Sequence, residues 1–213
     1  MTKRDQQLVE YIAEGGPAAV DSTGCVGNTI KVAAGHYLDL ANPSPKAIDI
    51  RSIAAALSKI CRFGGHTPRF YSVAEHVCHA ACLSFVDGSP IECTQAVFLH
   101  DATEAYLGDV VKPLKNMLPE YVVVESRMER AIAEAFGVDF ERWADEIKRF
   151  DRQMLKAEKL ALWPGDHEVW SGFTEIRDRI VHFGFWAPET AQRQFLGFAG
   201  MLGLTLPRSE VPA

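Results

Sequence analysis

From Ile48 to Leu202 the chain repeats one pattern: apolar residues recur every three or four positions, in blocks closed by glycine or proline. That spacing is helical, because positions i, i+3, i+4 and i+7 fall on one face of an α-helix. The blocks predict helices over about Ile48–Cys61, Ser72–Phe85, Ser89–Leu107, Pro119–Phe136, Phe140–Leu162 and Pro188–Leu202. Ser72-Val73-Ala74-Glu75 and Ser89-Pro90-Ile91-Glu92 both match the capping box that starts a helix. Thr29 to Leu40 departs from the pattern in another way. There two short β-prone runs flank Ala34-Gly35, which predicts a hairpin. The fold class expected is therefore an all-α helical domain with a small N-terminal β-hairpin. Its expected organisation is an arm over 1–28, one domain over 29–206 and a tail over 207–213. A Gly- and Trp-rich loop from Asp166 to Phe185 precedes the last helix.

A chain of 213 residues can bury enough surface to fold without a disulfide or structural metal. Its 22 Lys+Arg stand against 28 Asp+Glu, a net charge of −6, with no basic tract. Binding to a nucleic-acid polymer rests on many phosphate-neutralising cations, so that class is not expected. A small phosphorylated ligand held by a few local cations is compatible with the balance. No apolar run approaches the roughly 20 residues a membrane helix needs, and Met1–Gly15 lacks the apolar centre of a signal peptide. Five cysteines with no C-x-x-C pair read as reduced thiols and a cytoplasmic protein. Cys78 and Cys82, four apart, are expected to be buried.

The informative residues are polar ones in apolar helical blocks. His100-Asp101 directly follows Ala96-Val97-Phe98-Leu99, His76 lies between Val73 and Ala81, and Asp151 stands beside Phe150 and Met154. A charged side chain is seldom buried unless it is paired or bound to metal. One His, a His-Asp pair and a distant Asp on three separate helices can converge inside a bundle, where metal sites are built from facing helices. Two imidazoles and two carboxylates suit Zn, Mn, Fe, Co or Ni better than a thiolate metal. Arg62, Arg69, Lys112 and Lys115 flank these residues in the chain.

Three strings narrow the reading: Cys61-Arg62-Phe63-Gly64-Gly65-His66-Thr67, Tyr71-Ser72-Val73-Ala74-Glu75-His76 and Leu99-His100-Asp101-Ala102-Thr103-Glu104-Ala105-Tyr106-Leu107-Gly108-Asp109. With Asp151, they resemble the HD-domain superfamily of metal-dependent phosphohydrolases. Within it they look like the bacterial and phage group that contains deoxynucleoside 5′-monophosphatases and dATP triphosphohydrolases. The resemblance spans about residues 28–160. It implies an HD-domain helical bundle with His76, His100, Asp101 and Asp151 as metal ligands for Zn, Co or Mn, with Mg as a candidate at a second site. It implies Glu104 and Asp109 as the catalytic carboxylates, with Glu104 handling the attacking water. Arg62 and Lys115 match phosphate-binding positions, and Lys112, one turn from Lys115, is added to them. Phe63 and His66 are assigned to the base. Residues 1–28 and the Trp-rich loop have no counterpart in the resemblance.

The activity this implies is hydrolysis of dATP to deoxyadenosine and inorganic triphosphate by water attack at the α-phosphate. A 5′-nucleotidase acting on deoxynucleoside monophosphates is the alternative, and a non-catalytic nucleotide-binding module is a further one. The expected partners are a small deoxynucleotide and further copies of the chain, in a dimer or hexamer, in the (host) cytoplasm. Among the remaining residues, Glu158 lies seven positions after Asp151, on the same face, so it is weighed both as support for the site and as a salt-bridge partner. His79, Trp163, Trp170 and Trp186 read as packing residues.

Overall fold

The computed structural model describes residues 27–168, 170 and 173–204. The expectations for the arm, apart from its last residues, and for the tail lie outside the described residues. The chain enters through an antiparallel hairpin, β1 (Thr29–Lys31) and β2 (Tyr37–Asp39), with Ile30 opposite Leu38. Leu38 is buried, and the hairpin is tied to the helices by Ala34 N–H donating to Ser52 Oγ (3.0 Å). The helices are α1 (Ile50–Leu57), α2 (Val73–Val86), α3 (Ile91–Leu99), α4 (Glu104–Leu107), α5 (Lys112–Lys115), α6 (Pro119–Phe136), α7 (Ala144–Leu162) and α8 (Pro188–Met201). The protein is thus mostly helical with one small sheet near its start, as its periodicity predicts.

Helix α2 is the axis of the molecule. Val73, Ala74, Val77, Ala80 and Ala81 are all fully buried, and the helix packs on α1, α3, α7 and α8. A helix apolar all round must be buried, and α2 therefore takes its polar residues, Glu75 and His76, into the interior with it. A small apolar cluster of Ala80, Cys93, Val97, Phe150 and Met154 knits α2 to α3 and α7. Full burial of a side chain such as Phe150 contributes about 1.5–3 kcal/mol. Ala80, Val97 and Met154 lie four, three and three positions from His76, His100 and Asp151, and Phe150 directly precedes Asp151. The packing that joins the helices therefore fixes where those polar groups meet.

Several boundaries differ from the sequence expectation. Helix α1 is shorter than Ile48–Cys61. Asp49 Oδ1 caps its start by accepting from Arg51 N–H (3.0 Å) and Ser52 N–H (2.8 Å). Residues 60–62 instead run beside 71–73, with Val73 N–H on Ile60 O and Arg62 N–H on Tyr71 O. Helix α7 begins at Ala144, not Phe140, and the short α5 carries no periodicity by which to foresee it. The block after Ser89 is two helices. After Leu99 the chain tightens into turns, with Ala102 N–H on Leu99 O and Glu104 N–H on Asp101 O. From this turn His100 Nε2 reaches to 4.0 Å from Asp151 Oδ1 on α7 and Asp101 Oδ2 to 3.5 Å from His76 Nε2 on α2.

The first capping box is half formed. Ser72 Oγ accepts from Glu75 N–H at 3.2 Å, but the Glu75 carboxylate goes elsewhere. The second is absent: Pro90 caps α3 with no side-chain hydrogen bond. Helix α6 matches its prediction and ends where Gly137 takes the left-handed conformation (φ 66°, ψ 31°), which costs glycine little. Cys61, Cys78, Cys82 and Cys93 are free thiols, and Cys82 is exposed where burial was expected. Among the described residues no helix is long and apolar enough to cross a membrane.

Candidate metal centre

Four side chains from three packed elements converge at one point. His76 comes from α2, His100 and Asp101 from the turn after α3, and Asp151 from α7. His76, His100 and Asp151 each place one ligand atom within 4.8 Å of the others. Nε2 of His76 lies 3.5 Å from Asp101 Oδ2 and 3.5 Å from Asp151 Oδ1. Nε2 of His100 lies 3.1 Å from Asp101 Oδ1 and 4.0 Å from Asp151 Oδ1. Donors that each sit about 2.1 Å from one ion stand roughly 3–3.5 Å apart, so most of these separations are those of atoms around a shared cation.

The far sides of both imidazoles are committed. His76 Nδ1 lies 2.6 Å from Glu158 Oε1, and His100 Nδ1 lies 2.8 Å from Val97 O. A carbonyl and an ionised carboxylate only accept, so each Nδ1 must donate. In a neutral ring this leaves Nε2 with its lone pair exposed. Both Nε2 atoms are buried without a hydrogen-bond partner, and buried polar atoms are ordinarily satisfied. A donor at Nδ1 and an open lone pair at Nε2 is how a ligating histidine is set. The residues present fit a divalent ion.

The local field agrees. Burial and Arg62 push the His76 pKa down, but Glu158 and Asp151 outweigh them and hold it up to about 9. Burial likewise lowers that of His100, and Asp101 and Asp151 raise it above the usual value. Carboxylates that draw protons onto buried imidazoles draw a metal cation by the same attraction.

Glu158 is fully buried and forms the floor of the site. It accepts from Tyr71 Oη–H at 2.8 Å and from Arg62 Nη2 at 3.3 Å, besides His76. Arg62 Nε also lies 3.2 Å from it, and Arg62 Nη1 lies 3.3 Å from Asp101 Oδ2. Burial raises the Glu158 pKa, but Arg62 and His76 outweigh it and keep the carboxylate ionised. The two roles weighed for Glu158, support and salt bridge, thus coincide. Arg62 reaches the centre, but its guanidinium is 11 % exposed and faces protein carboxylates.

Glu104 opens α4 beside the cluster, 8 % exposed. Burial, then the charges of Asp101 and Asp109, push its pKa up to about 10. Its Oε2 is buried and unpartnered. Asp109 follows Gly108, whose backbone (φ 79°, ψ 159°) is open essentially only to glycine. Burial raises the Asp109 carboxyl; Arg62 opposes this, and Asp101 adds to it. Lys115 Nζ pairs with Glu125 Oε1 at 2.7 Å, and Lys112 is exposed on the same short helix. Phe63 holds a left-handed backbone (φ 57°, ψ 30°) that a bulky residue rarely adopts. Its ring packs edge-on to Trp163 at 5.2 Å, and His66 is exposed at the end of the same turn.

A cavity of about 590 Å³ opens on His100 and Asp151, walled by Phe140, Ile147, Glu129 and Lys148. Sequence reasoning missed these walls, because nothing in the chain marks α6 and α7 as facing one another there. It also missed the partner of Glu75, whose buried carboxylate accepts from Gly184, Phe185 and Trp186 N–H at 2.8, 2.8 and 2.7 Å. This pins the loop before α8 across α2, and Trp186 stacks at a tilt on His79.

No family model matches the chain. Escherichia coli YfdR, itself described as uncharacterized, is 36% identical over 141 residues, which cover 66% of this chain and 76% of that protein. An uncharacterized protein of Rhodobacter capsulatus is 35% identical over 114 residues, covering 51% of this chain and 58% of that protein.

Proposed function

The chain belongs to the family of Escherichia coli YfdR, and we propose that it is an HD-domain phosphohydrolase that uses a divalent metal to cleave a deoxynucleotide. The observation that carries this reading is the pair of buried imidazoles whose Nε2 atoms lack partners and point at Asp101 and Asp151. His76, His100, Asp101 and Asp151 would hold the ion, and their mixed N/O set suits Zn, Co or Mn. When bound, such an ion supplies Lewis acidity, screening phosphate charge and lowering the pKa of water.

The chain's own residues do the rest. Glu104 stands beside the ligand Asp101 with an unpartnered carboxyl oxygen, where it can orient water and exchange a proton with it. Asp109 follows the Gly108 turn, and its charge acts on Glu104. Lys112 and Lys115 supply positive charge for phosphate oxygens. Arg62 holds Asp101 and Glu158 in place. The resemblance of the three sequence strings favours dATP as substrate, with release of triphosphate. A second reading, release of one phosphate from a 5′-monophosphate, is favoured by Arg62 and Lys115. Both are engaged by protein carboxylates, which leaves few cations for a long phosphate chain.

A hydrolysis panel tests this. The protein is loaded with Zn²⁺, Co²⁺ or Mn²⁺ and offered deoxy- and ribonucleoside mono- and triphosphates, with triphosphate and single phosphate measured separately. Triphosphate from dATP supports the first reading, and single phosphate from several monophosphates supports the second. Silence across the panel with metal demonstrably bound overturns both.

A further inference from the structure

Helix α7 has a second cavity on its flank. A groove of about 510 Å³ lies between α7 and the loop before α8, and Lys148, Arg149, Arg152 and Arg177 line it. Among the described residues, Asp145 and Glu175 are its only acidic lining residues. This volume falls in the range of small-molecule sites. Among the described residues it shares Lys148 alone with the cavity that opens on His100 and Asp151, so it is a separate place in the fold.

The gathering of cations needs a reason. The chain as a whole is acidic, with a net charge of −6. Lys148, Arg149 and Arg152 nevertheless stand on one helix beside the groove, and Arg177 lines it from the loop. An anion entering the groove meets these four cations against the carboxylates of Asp145 and Glu175.

The groove is also preorganised. Arg149 stacks on the Phe150 ring at 4.0 Å and its Nη1 lies 3.3 Å from Asp87 Oδ2. Arg179 bonds the same Asp87 carboxylate, and its Nε donates to Gln153 Oε1 at 2.9 Å. Lys156 Nζ holds Ile176 O at 2.7 Å, which fixes the loop that carries Arg177. Side chains already held in place lose less freedom on binding. Planar guanidinium groups match phosphate oxygens in pairs.

From this geometry we propose that the α7 groove is a second ligand site, distinct from the metal centre, that takes a small polyphosphate anion. The phosphate chain of a nucleotide and inorganic polyphosphate share this chemistry. The proposal does not depend on the hydrolase reading, and its test needs no turnover.

The test is calorimetric titration of this chain, stripped of metal, in about 0.15 M salt, first with inorganic tripolyphosphate and then with dATP. The variant is Arg177→Glu, an exposed position that lines the groove and not the cavity at His100 and Asp151. The charge-matched control is Lys31→Glu, also exposed. The groove variant should weaken tripolyphosphate binding by about tenfold or more, because it sets like charges against the ligand. The control should stay within about twofold of the parent, since distant surface charges are screened. Tighter binding of dATP than of tripolyphosphate identifies a nucleotide ligand, and equal binding identifies the phosphate chain alone. A groove variant that binds like the parent, or a control that loses as much, overturns the proposal. Arg177→Ala, a loop truncation that leaves α7 untouched, should weaken binding in the same direction. If it does not, the groove is not the site.

Discussion

Glu158 Oε1 lies 2.6 Å from His76 Nδ1, both groups fully buried, and this one contact decides which nitrogen of His76 faces the centre. Glu158 stands seven residues after Asp151 on α7, so one helix supplies both a candidate ligand and the group that orients another candidate ligand.

Glu158→Gln should weaken metal binding by about 10–100-fold, as loss of a ligand's supporting partner does. Competition with a chromogenic chelator reads this directly. Glu158→Ala should also destabilise the fold by about 3–5 kcal/mol, because it takes from buried Arg62 one of its two carboxylate partners and from Tyr71 its acceptor. Chemical denaturation measures that loss. Unchanged metal affinity in Glu158→Gln would remove the positioning role.

Asp101→Ala should abolish metal binding and activity, since it removes a carboxylate beside both Nε2 atoms. Metal content after dialysis, measured by elemental analysis, is the check. A variant that keeps stoichiometric metal would show that the centre is built without Asp101.

Glu104→Gln should keep its metal and lose turnover by about 10²–10⁴-fold, the usual worth of a positioned acid–base group. Steady-state hydrolysis of the panel substrate, alongside metal content, separates the two effects. Loss of metal would make Glu104 a structural residue.

Glu75→Gln should loosen the segment before α8. The carboxylate serves three backbone N–H groups, and charge-assisted bonds of this kind are about twice as strong as neutral ones. Hydrogen exchange at Gly184, Phe185 and Trp186 should accelerate, while exchange in the middle of α2 should stay slow. Unaltered exchange at those amides would mean that the aromatic packing alone holds the loop.

Asp87 makes stability depend on pH. Burial acts to raise its pKa from the usual 3.8, but Arg179 and Arg149 outweigh it and lower the value. Its contribution is therefore full above the unfolded value and is lost as pH falls through the lower folded one. Thermal melting of the native protein should fall more steeply below about pH 4 than that of Asp87→Asn. Parallel curves for the two would show that the Asp87 pairs contribute nothing.

Periodicity alone determined the helical class, the hairpin and most helix cores, because the spacing of apolar residues is a local property that survives without knowledge of partners. Helix α6 and the start of α2 were legible for that reason. So were His76, the His100-Asp101 pair and Asp151, since charged or ligating residues in apolar blocks need an explanation that burial alone does not offer. What the chain could not reveal by itself was contact between distant segments. The break at His100, and the meeting of His100 and Asp101 with His76 and Asp151, depend on contacts with α2 and α7. The Arg62 guanidinium, legible as a cation, becomes a brace between Asp101 and Glu158 only when residues 39 and 96 positions away are folded against it. Glu75 matched a local capping box and instead found three backbone donors more than a hundred residues downstream. In each case a buried polar group took the partner that tertiary packing offered, because leaving it unpaired costs more than any local propensity supplies.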